Sequence, residues 1–185
     1  ASMGKSVLLI TMNMQTIAQM SCNPAMGGVA KGQILREIDA LGGFSAEITD
    51  KTTLQFRMLN RSKGAAMWSP RAQSDRMRFS EEWRLALERN LNVDFFQDSV
   101  TEITTENNKV TGVKCGMGMT FQSKTVVLTA GTFLNGIIHI GRKQFGGGRM
   151  AEKSSTGITA QLESLGLVSG RMKTGTHQRV DGRSL

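Results

Sequence analysis

The sequence predicts an α/β fold built on a parallel sheet, and three features of the chain support this. Residues 6–11 form a nearly unbroken apolar run, which is typical of a strand buried on both faces of a parallel sheet. Strand-like segments then alternate with segments whose apolar residues recur at helical spacing. Residues 100–122 contain short strands separated by turn signals, which indicates an antiparallel β-meander inserted into the α/β arrangement.

The loop at residues 20–32 is followed by the first predicted helix, over residues 33–41. Ile34, Leu35, Ile38 and Leu41 lie on one face of this helix. Gly42 is expected to take the left-handed conformation that ends it.

The same loop holds a candidate reactive site around Cys22. Gly27, Gly28 and Gly32 allow a ligand to approach the backbone closely. Free N–H groups at the helix start and the charge of Lys31 favour an anionic ligand and a nucleophilic thiol. The alternative is that Cys22 is a small buried residue, the glycines form turns and Lys31 is solvated.

A strand is predicted over residues 53–59, and a polar, basic loop over residues 60–69. Ser69 is expected to cap a helix with Pro70 at its first position, running to about residue 90. Met77, Trp83 and Leu87 are expected to face the core. The outer face is expected to be basic, with Arg71, Arg76, Arg78, Arg84 and Arg89.

The second half of the chain alternates short strands with one helix. Ser154 or Ser155 is expected to cap that helix, which carries Ile158, Leu162 and Leu165 and ends at Gly166. The predicted strands cover residues 93–97, 100–105, 110–114, 119–122, 125–129, 137–140 and 167–173.

Two segments of this half are candidate ligand sites. The buried strand 125–129 ends in Thr129, Ala130, Gly131 and Thr132, and open α/β sheets bind cofactors at the carboxyl ends of their strands. The glycines before Arg149 form a flexible run that is compatible with a phosphate clamp.

Composition limits the classes of function. The 185 residues are 39% hydrophobic, which is enough for the core of one domain or one and a half. No run approaches the ~20 apolar residues of a membrane span. Cys22 and Cys115 lie far apart, and His139 and His177 have no other metal ligand nearby in the sequence, so neither a disulfide framework nor a metal site is expected.

The net charge of +8 favours a polyanionic partner. Arg61, Lys63 and Arg71 are the candidate contacts to an RNA backbone, although a solvated basic loop is the alternative. The chain has eight Phe, two Trp and no Tyr, which disfavours a base-stacking platform of the kind used by single-strand binders.

An ordered set of motifs across essentially the whole chain resembles the MnmG (GidA) family. The motifs are MSCNPAMGGVAKG with EIDALGG, QFRMLNRSKG, AMWSPRAQSDR, VVLTAGTFLNG, HIG, GGGR and RMKTGT. The resemblance implies a glutathione-reductase-like, FAD-binding Rossmann-type fold, truncated at the N-terminus and carrying the meander at about residues 100–123. Residues 1–185 would form a partial FAD-binding domain without its first strand and G-x-G-x-x-G turn, and a second β-rich region would begin after about residue 136.

The resemblance also implies a function for the full-length protein. It implies a cytoplasmic, homodimeric enzyme that binds FAD and works with the GTPase MnmE. Together they add an aminomethyl or carboxymethylaminomethyl group at C5 of the wobble uridine of tRNA, with NADH and a folate one-carbon donor as cosubstrates.

Site residues follow from the same resemblance. Cys22 matches a functional cysteine of the family that is expected to work beside the flavin. Val100 and Ser155 match positions that contact FAD, and the segment from Thr129 to Thr132 matches a strand end close to it. Two alternatives stay open: a non-catalytic basic RNA-binding module, and the related folate- and FAD-dependent tRNA uridine methyltransferase.

Overall fold

The structure, a computed structural model, describes residues 1–21, 23–173, 175 and 181–184. It divides into two compact units, Ala1–Asp98 and Ser99–Leu185. The first unit contains, in chain order, β1 (Val7–Thr11), β2 (Ala25–Gly27), α1 (Lys31–Ala40), α2 (Ser45–Thr52), β3 (Thr53–Leu59), β4 (Ser69–Ser74), α3 (Arg76–Glu88) and β5 (Val93–Gln97).

The predicted parallel pairing is confirmed in the first unit. β1 pairs in parallel with β5, from Val7 opposite Val93 to Thr11 opposite Gln97. The prediction that β1 is buried on both faces is wrong, because its residues are half-buried or exposed. Among the described residues β5 is the one strand that pairs with β1, so β1 lies in a two-stranded sheet and not inside a larger parallel sheet.

β4 is the central strand of an antiparallel sheet with the order β2, β4, β3. The prediction of a helix starting at Ser69 and Pro70 is therefore wrong. Ser69 is fully buried and accepts a hydrogen bond from Gln33 Nε2 at 3.2 Å. Pro70 lies beyond the last residue of β4 that pairs with β2, so its missing N–H group breaks no bond to that strand.

The helix that follows starts at Arg76 with Asp75 as its N-cap. Asp75 Oδ1 accepts hydrogen bonds from the N–H groups of Met77 and Arg78 at 3.0 and 3.1 Å. Phe79 is the buried residue of α3 and contacts the Trp83 ring edge-on. The prediction that Met77 faces the core is wrong, since its side chain is exposed.

α1 is confirmed, and it ends as predicted at Gly42, whose φ is +83°. The Gly42 N–H donates to Asp39 O and the Gly43 N–H to Ile38 O, both at 2.9 Å, which is a Schellman ending. The predicted apolar face is not buried in this unit, because Ile34, Ile38 and Leu41 are exposed.

α2 was not predicted, because this helix has few apolar residues. Ile48 anchors it in the core together with the buried Thr49 and Thr52. Its outer face carries a Glu47–Lys51 ion pair of 2.7 Å, and the hydrogen bond from Lys51 to Glu47 raises the pKa of the lysine.

The second unit is built on the predicted meander, which is confirmed. Its elements are β6 (Val100–Glu106), β7 (Lys109–Cys115), β8 (Thr120–Gln122), β9 (Ile137–Ile140), β10 (Lys143–Gly146) and α4 (Ile158–Ser164). β6, β7 and β8 form an antiparallel sheet, and β9 pairs with β10. Ile103, Val113 and Cys115 of the meander are buried, together with Ile158 of α4.

The Gln161 side chain joins α4 to the edge of the meander. Its Oε1 accepts the Ile103 N–H at 2.8 Å, and its Nε2 donates to the Ile103 carbonyl at 2.7 Å. The helix is not capped by Ser154 or Ser155 as predicted. Gly157 occupies the N-cap position with a φ of +97°.

Two predicted strands are absent from the described structure. Residues 125–129 have no strand assignment, and Val127 and Leu128 are exposed. Residues 167–173 likewise contain no strand. A strand requires a hydrogen-bonded neighbour, and no described strand pairs with either segment. None of the helices described is long and apolar enough to cross a membrane.

Candidate functional site

Cys22 lies outside the described residues, and its flanking residues lead into β2. The Ala25 N–H donates to Asn23 O at 2.7 Å, and the Ser74 N–H donates to Pro24 O at 2.7 Å. The segment after Cys22 is therefore fixed to the end of the central strand β4.

The N–H groups of this loop donate to acceptors in the loop itself and on β4. The Gly28 N–H donates to Pro70 O at 2.9 Å, the Gly32 N–H to Gly28 O at 2.7 Å and the Lys31 N–H to Val29 O at 2.8 Å. Free N–H groups were expected at the start of the helix that follows this loop, and the N–H groups of Gly28, Lys31 and Gly32 are not available for that role because each has a backbone acceptor. The Lys31 ammonium also has a local partner, because its Nζ donates to Ala25 O at 3.1 Å.

Gly27 and Gly32 allow α1 and β2 to pack against β4. A Cβ on Gly27 would lie 2.0 Å from Pro70 O, and one on Gly32 would lie 3.1 Å from the same atom. Gly27 is thus required for this close packing, and a Cβ on Gly32 would be tightly placed. The alternative offered by the sequence, that the glycines are structural, is supported at these two positions.

A groove of ≈ 520 Å³ lies beside this packing and is open to solvent. It is bounded by α1, α2 and the face of the sheet that carries Phe56 and Ala72, with Arg36, Asp39 and Asp50 among its polar lining. This groove could not be expected from the sequence, because α2, which forms one of its walls, was not predicted.

The predicted cofactor segment of the second unit forms an exposed turn. The Phe133 N–H donates to Ala130 O at 3.1 Å, and Gly131 has a φ of +57°. Thr129, Gly131 and Thr132 are exposed, and no other group lies within 4 Å of where a Gly131 Cβ would point. The turn thus presents small residues and backbone to its surroundings.

Ser155 lies next to this turn. Its N–H donates to Phe133 O at 2.8 Å, and its carbonyl accepts the Asn135 N–H at 2.8 Å. A Cβ on Gly157 would lie 3.6 Å from Thr101 O, so the chain after Ser155 passes the start of β6, where Val100 is located. The structure therefore places the predicted cofactor residues in one part of the second unit.

Arg149 is held by partners within its own unit. Its Nη2 and Glu152 Oε1 are 2.6 Å apart, and its guanidinium lies 5.8 Å from the centroid of the Phe133 ring. A Cβ on Gly148 would collide with that ring at 2.2 Å. The absence of a side chain at Gly148 thus leaves space for the Phe133 ring. Because Arg149 already has these partners, its interpretation as a free phosphate clamp is not supported.

The candidate RNA contacts lie on and beside the loop that joins β3 to β4. Arg61 and Lys63 are exposed on a single 3₁₀ turn. Arg71 lies on β4 and not on a helix, and it is directly opposite Arg57 of β3. Arg57 was not a candidate from the sequence, because Arg71 was expected on a helix, where it would have no strand partner.

No group of three or more His, Cys, Asp or Glu side chains capable of holding a metal occurs in the part of the chain that the structure describes.

Comparison with known proteins places the whole chain in one group. The family model described as glucose inhibited division protein A matches residues 1–185. A protein of Flavobacterium psychrophilum named tRNA uridine 5-carboxymethylaminomethyl modification enzyme MnmG is 65% identical over all 185 residues. The protein of the same name from Cytophaga hutchinsonii is 67% identical over the same residues. The chain spans 30% of the length of each.

Solved structures show the same relationship. Aquifex aeolicus GidA, in its form II crystal, is 46% identical with a TM-score of 0.79, over 85% of this chain and 26% of that one. A GidA-related protein from Thermus thermophilus is 18% identical with a TM-score of 0.50, over 88% of this chain and 69% of that one, and it shows the fold alone. The predicted α/β, Rossmann-type fold class is confirmed.

Proposed function

Because the chain belongs to the glucose inhibited division protein A family, we propose that the full-length protein is an FAD-dependent tRNA-modifying enzyme. With the GTPase MnmE it adds an aminomethyl or carboxymethylaminomethyl group at C5 of the wobble uridine. The observation that carries this proposal is the identity of 65% and 67% to relatives named for that modification. Since the chain spans 30% of their length, the activity is proposed for the protein at full length.

The second unit supports the flavin part of the proposal. Thr129, Ala130, Gly131 and Thr132 form an exposed turn with open space at Gly131, and Ser155 is bonded to the residue after that turn. Small side chains and accessible backbone suit a flat, bulky cofactor such as FAD. Val100, at the start of β6, completes the proposed set. When bound, FAD supplies the redox chemistry, with NADH and a folate one-carbon donor as cosubstrates.

The first unit carries the proposed reactive and RNA-binding residues. Cys22 acts as a nucleophile or as an acid–base group beside the flavin. The segment from Asn23 to Ala25 that follows it is fixed by backbone hydrogen bonds to itself and to Ser74. Arg61, Lys63 and Arg71 bind tRNA phosphates. The net charge of +8 is consistent with a polyanionic substrate. The enzyme is proposed to be a cytoplasmic homodimer.

Nucleoside analysis of tRNA tests the proposal. A strain lacking the gene is complemented with the full-length protein, and the modified uridines are measured by mass spectrometry. We expect the wild-type protein to restore the aminomethyl or carboxymethylaminomethyl uridine and Cys22→Ser to fail. Cys115→Ala is the matched control, because it removes the buried thiol of the second unit and is expected to leave the modification in place.

Two outcomes contradict parts of the proposal. Restoration of a methylated uridine instead of the wobble modification would assign the protein to the related methyltransferase activity. Full modification by the Cys22→Ser protein would remove the proposed role of this thiol while leaving the enzyme assignment intact.

A further inference from the structure

The hairpin formed by β3, β4 and their connecting loop places two arginines directly opposite each other. Arg57 and Arg71 are a cross-strand pair, so their side chains project from the same face of the sheet with their Cβ atoms roughly 5 Å apart. Within the described residues neither guanidinium has a carboxylate partner. Like charges in this arrangement destabilise a sheet, and an anion lying between them removes the repulsion.

The loop of the same hairpin presents a fixed aromatic ring. Trp68 is 45% exposed, and its Nε1–H donates to Arg61 O at 3.1 Å. This bond ties the indole to the 3₁₀ turn that carries Arg61 and Lys63. An exposed but anchored indole offers a flat apolar surface whose orientation is already determined, which lowers the entropic cost of stacking another ring on it.

The ring lies immediately beside the short ladder that carries the arginine pair. Leu59 opposite Ser69 closes the loop immediately beside Trp68. The Arg57–Arg71 pair lies two positions further along, roughly 7 Å away at the rise of a strand. Both features therefore lie within the span of a short stretch of polynucleotide.

We propose that this hairpin is a binding subsite for single-stranded RNA, in which one base stacks on Trp68 and the adjoining backbone phosphates bind Arg57 and Arg71. Charged guanidiniums bind phosphate through short paired hydrogen bonds. A base can stack on a side chain only when it is unpaired and turned out of a helix. The subsite therefore binds a loop or a bulge of the RNA and not a duplex.

This inference rests on the proposed function for its substrate, tRNA, and it adds two residues to the RNA contacts predicted from the sequence. The scarcity of aromatic residues excludes an extended stacking platform. It does not conflict with a single stacked base, because one ring serves one nucleotide.

The test uses the full-length protein and a fluorescein-labelled anticodon stem-loop RNA, with a fully paired RNA of equal length for comparison. Fluorescence anisotropy gives the Kd of each. We expect Trp68→Ala to weaken stem-loop binding about fivefold or more and to leave duplex binding within twofold. Phe56→Ala is the matched control, because Phe56 is also an exposed aromatic residue of this hairpin, yet it lies in the groove on the opposite face. It is expected to change neither Kd.

The arginines are tested by the salt dependence of binding. Arg57→Gln and Arg71→Gln are each expected to reduce the slope of log Kd against log salt by about 0.7, the contribution of one phosphate contact on a single strand. Trp68→Ala is expected to leave that slope unchanged, because stacking releases no counterions. Arg84→Gln, on α3 and paired with Glu88, is the control for loss of one positive charge elsewhere.

The outcomes separate this inference from the proposed function. If the wild-type protein restores tRNA modification but Trp68→Ala binds the stem-loop within twofold of wild type, the subsite is wrong and the function stands. If Trp68→Phe, which keeps a ring but loses the bond to Arg61, binds as weakly as Trp68→Ala, the indole has only a structural role. Equal losses on stem-loop and duplex RNA would also overturn stacking. Failure of the wild-type protein to modify tRNA would count against the function itself.

Discussion

Gly27 and Gly28 have nearly the same backbone conformation but different surroundings. Their φ values are +101° and +99°, so an L-residue at either position is strained. A Cβ on Gly27 would lie 2.0 Å from Pro70 O, whereas one on Gly28 would meet no atom within 4 Å. The pair therefore separates the cost of backbone strain from the cost of a collision with β4.

We expect Gly28→Ala to destabilise the β2–β4 pairing by about 1–3 kcal/mol, the usual cost of a strained φ. Gly27→Ala is expected to cost more, because the rigid carbonyl of Pro70 must also move. Hydrogen-exchange mass spectrometry of peptides covering β2 and β4 measures this. We expect exchange to be slowest in the wild type, faster in Gly28→Ala and fastest in Gly27→Ala. Equal exchange in the two variants would show that the approach of Gly27 to Pro70 does not constrain the sheet.

At the scale of elements, a single glutamine connects α4 with the meander. The Gln161 amide satisfies both the N–H and the C=O of Ile103, so it imitates the neighbouring strand that this position of β6 lacks. Ile103 is buried, and water is therefore a poor substitute partner for its backbone groups. The docking of α4 depends on this pair of bonds as well as on the buried Ile158.

Replacing Gln161 by leucine keeps an apolar body on α4 but leaves two buried backbone groups unpaired. We expect a loss of about 2–6 kcal/mol, from about 1–3 kcal/mol for each of the two unsatisfied groups. Faster hydrogen exchange in peptides covering β6 and α4 reports this loss. Gln144→Leu on the exposed strand β10 is the control and is expected to change nothing in those peptides. Unchanged exchange in Gln161→Leu would contradict the role assigned to the amide.

The elements that the sequence predicted well are those with a local signal. The meander could be predicted because its turns at Asn107–Asn108 and Gly118 have positive φ values, which Asn and Gly residues favour. Ser69 and Pro70 carry an equally typical signal for a helix start, yet the residues form a strand because β2 and β3 pair on both sides of it. Asp75, six residues later, is the cap that the structure uses.

The candidate sites likewise differ in whether a local sequence signal indicates them or whether they depend on the pairing of distant segments. The ligand site expected at Thr129–Thr132 depended on a buried strand ending there, and that strand is absent from the described residues, so the ligand site stays a prediction. The Arg57–Arg71 pair was not predictable, because it depends on the register between β3 and β4. Register is set by pairing over the whole sheet, so the sequence of either strand alone does not show which residues will lie opposite each other.

At the scale of the whole molecule, the proposed functional residues divide between the two units. Cys22 and the basic hairpin belong to Ala1–Asp98, and the proposed flavin contacts belong to Ser99–Leu185. Neither unit holds all the residues that the proposed reaction requires. Among the described strands, β1 pairs with β5 alone, and the apolar face of α1 is exposed, so these surfaces of the first unit are available for further packing in a longer protein.

This division leads to a prediction about FAD. The 185 residues contain no G-x-G-x-x-G turn, the element whose backbone N–H groups hold the pyrophosphate of a dinucleotide at a helix N-terminus. The glycine loop after Cys22 does not replace it, because the Gly28, Lys31 and Gly32 N–H groups already have backbone partners. We therefore expect the 185-residue chain alone to bind FAD more weakly than micromolar, and the full-length protein to retain FAD through purification. Titration of FAD, followed by its absorbance and fluorescence, measures both. Micromolar binding by the chain alone would show that the turn around Gly131, Val100 and Ser155 suffice to hold the cofactor without a pyrophosphate cradle.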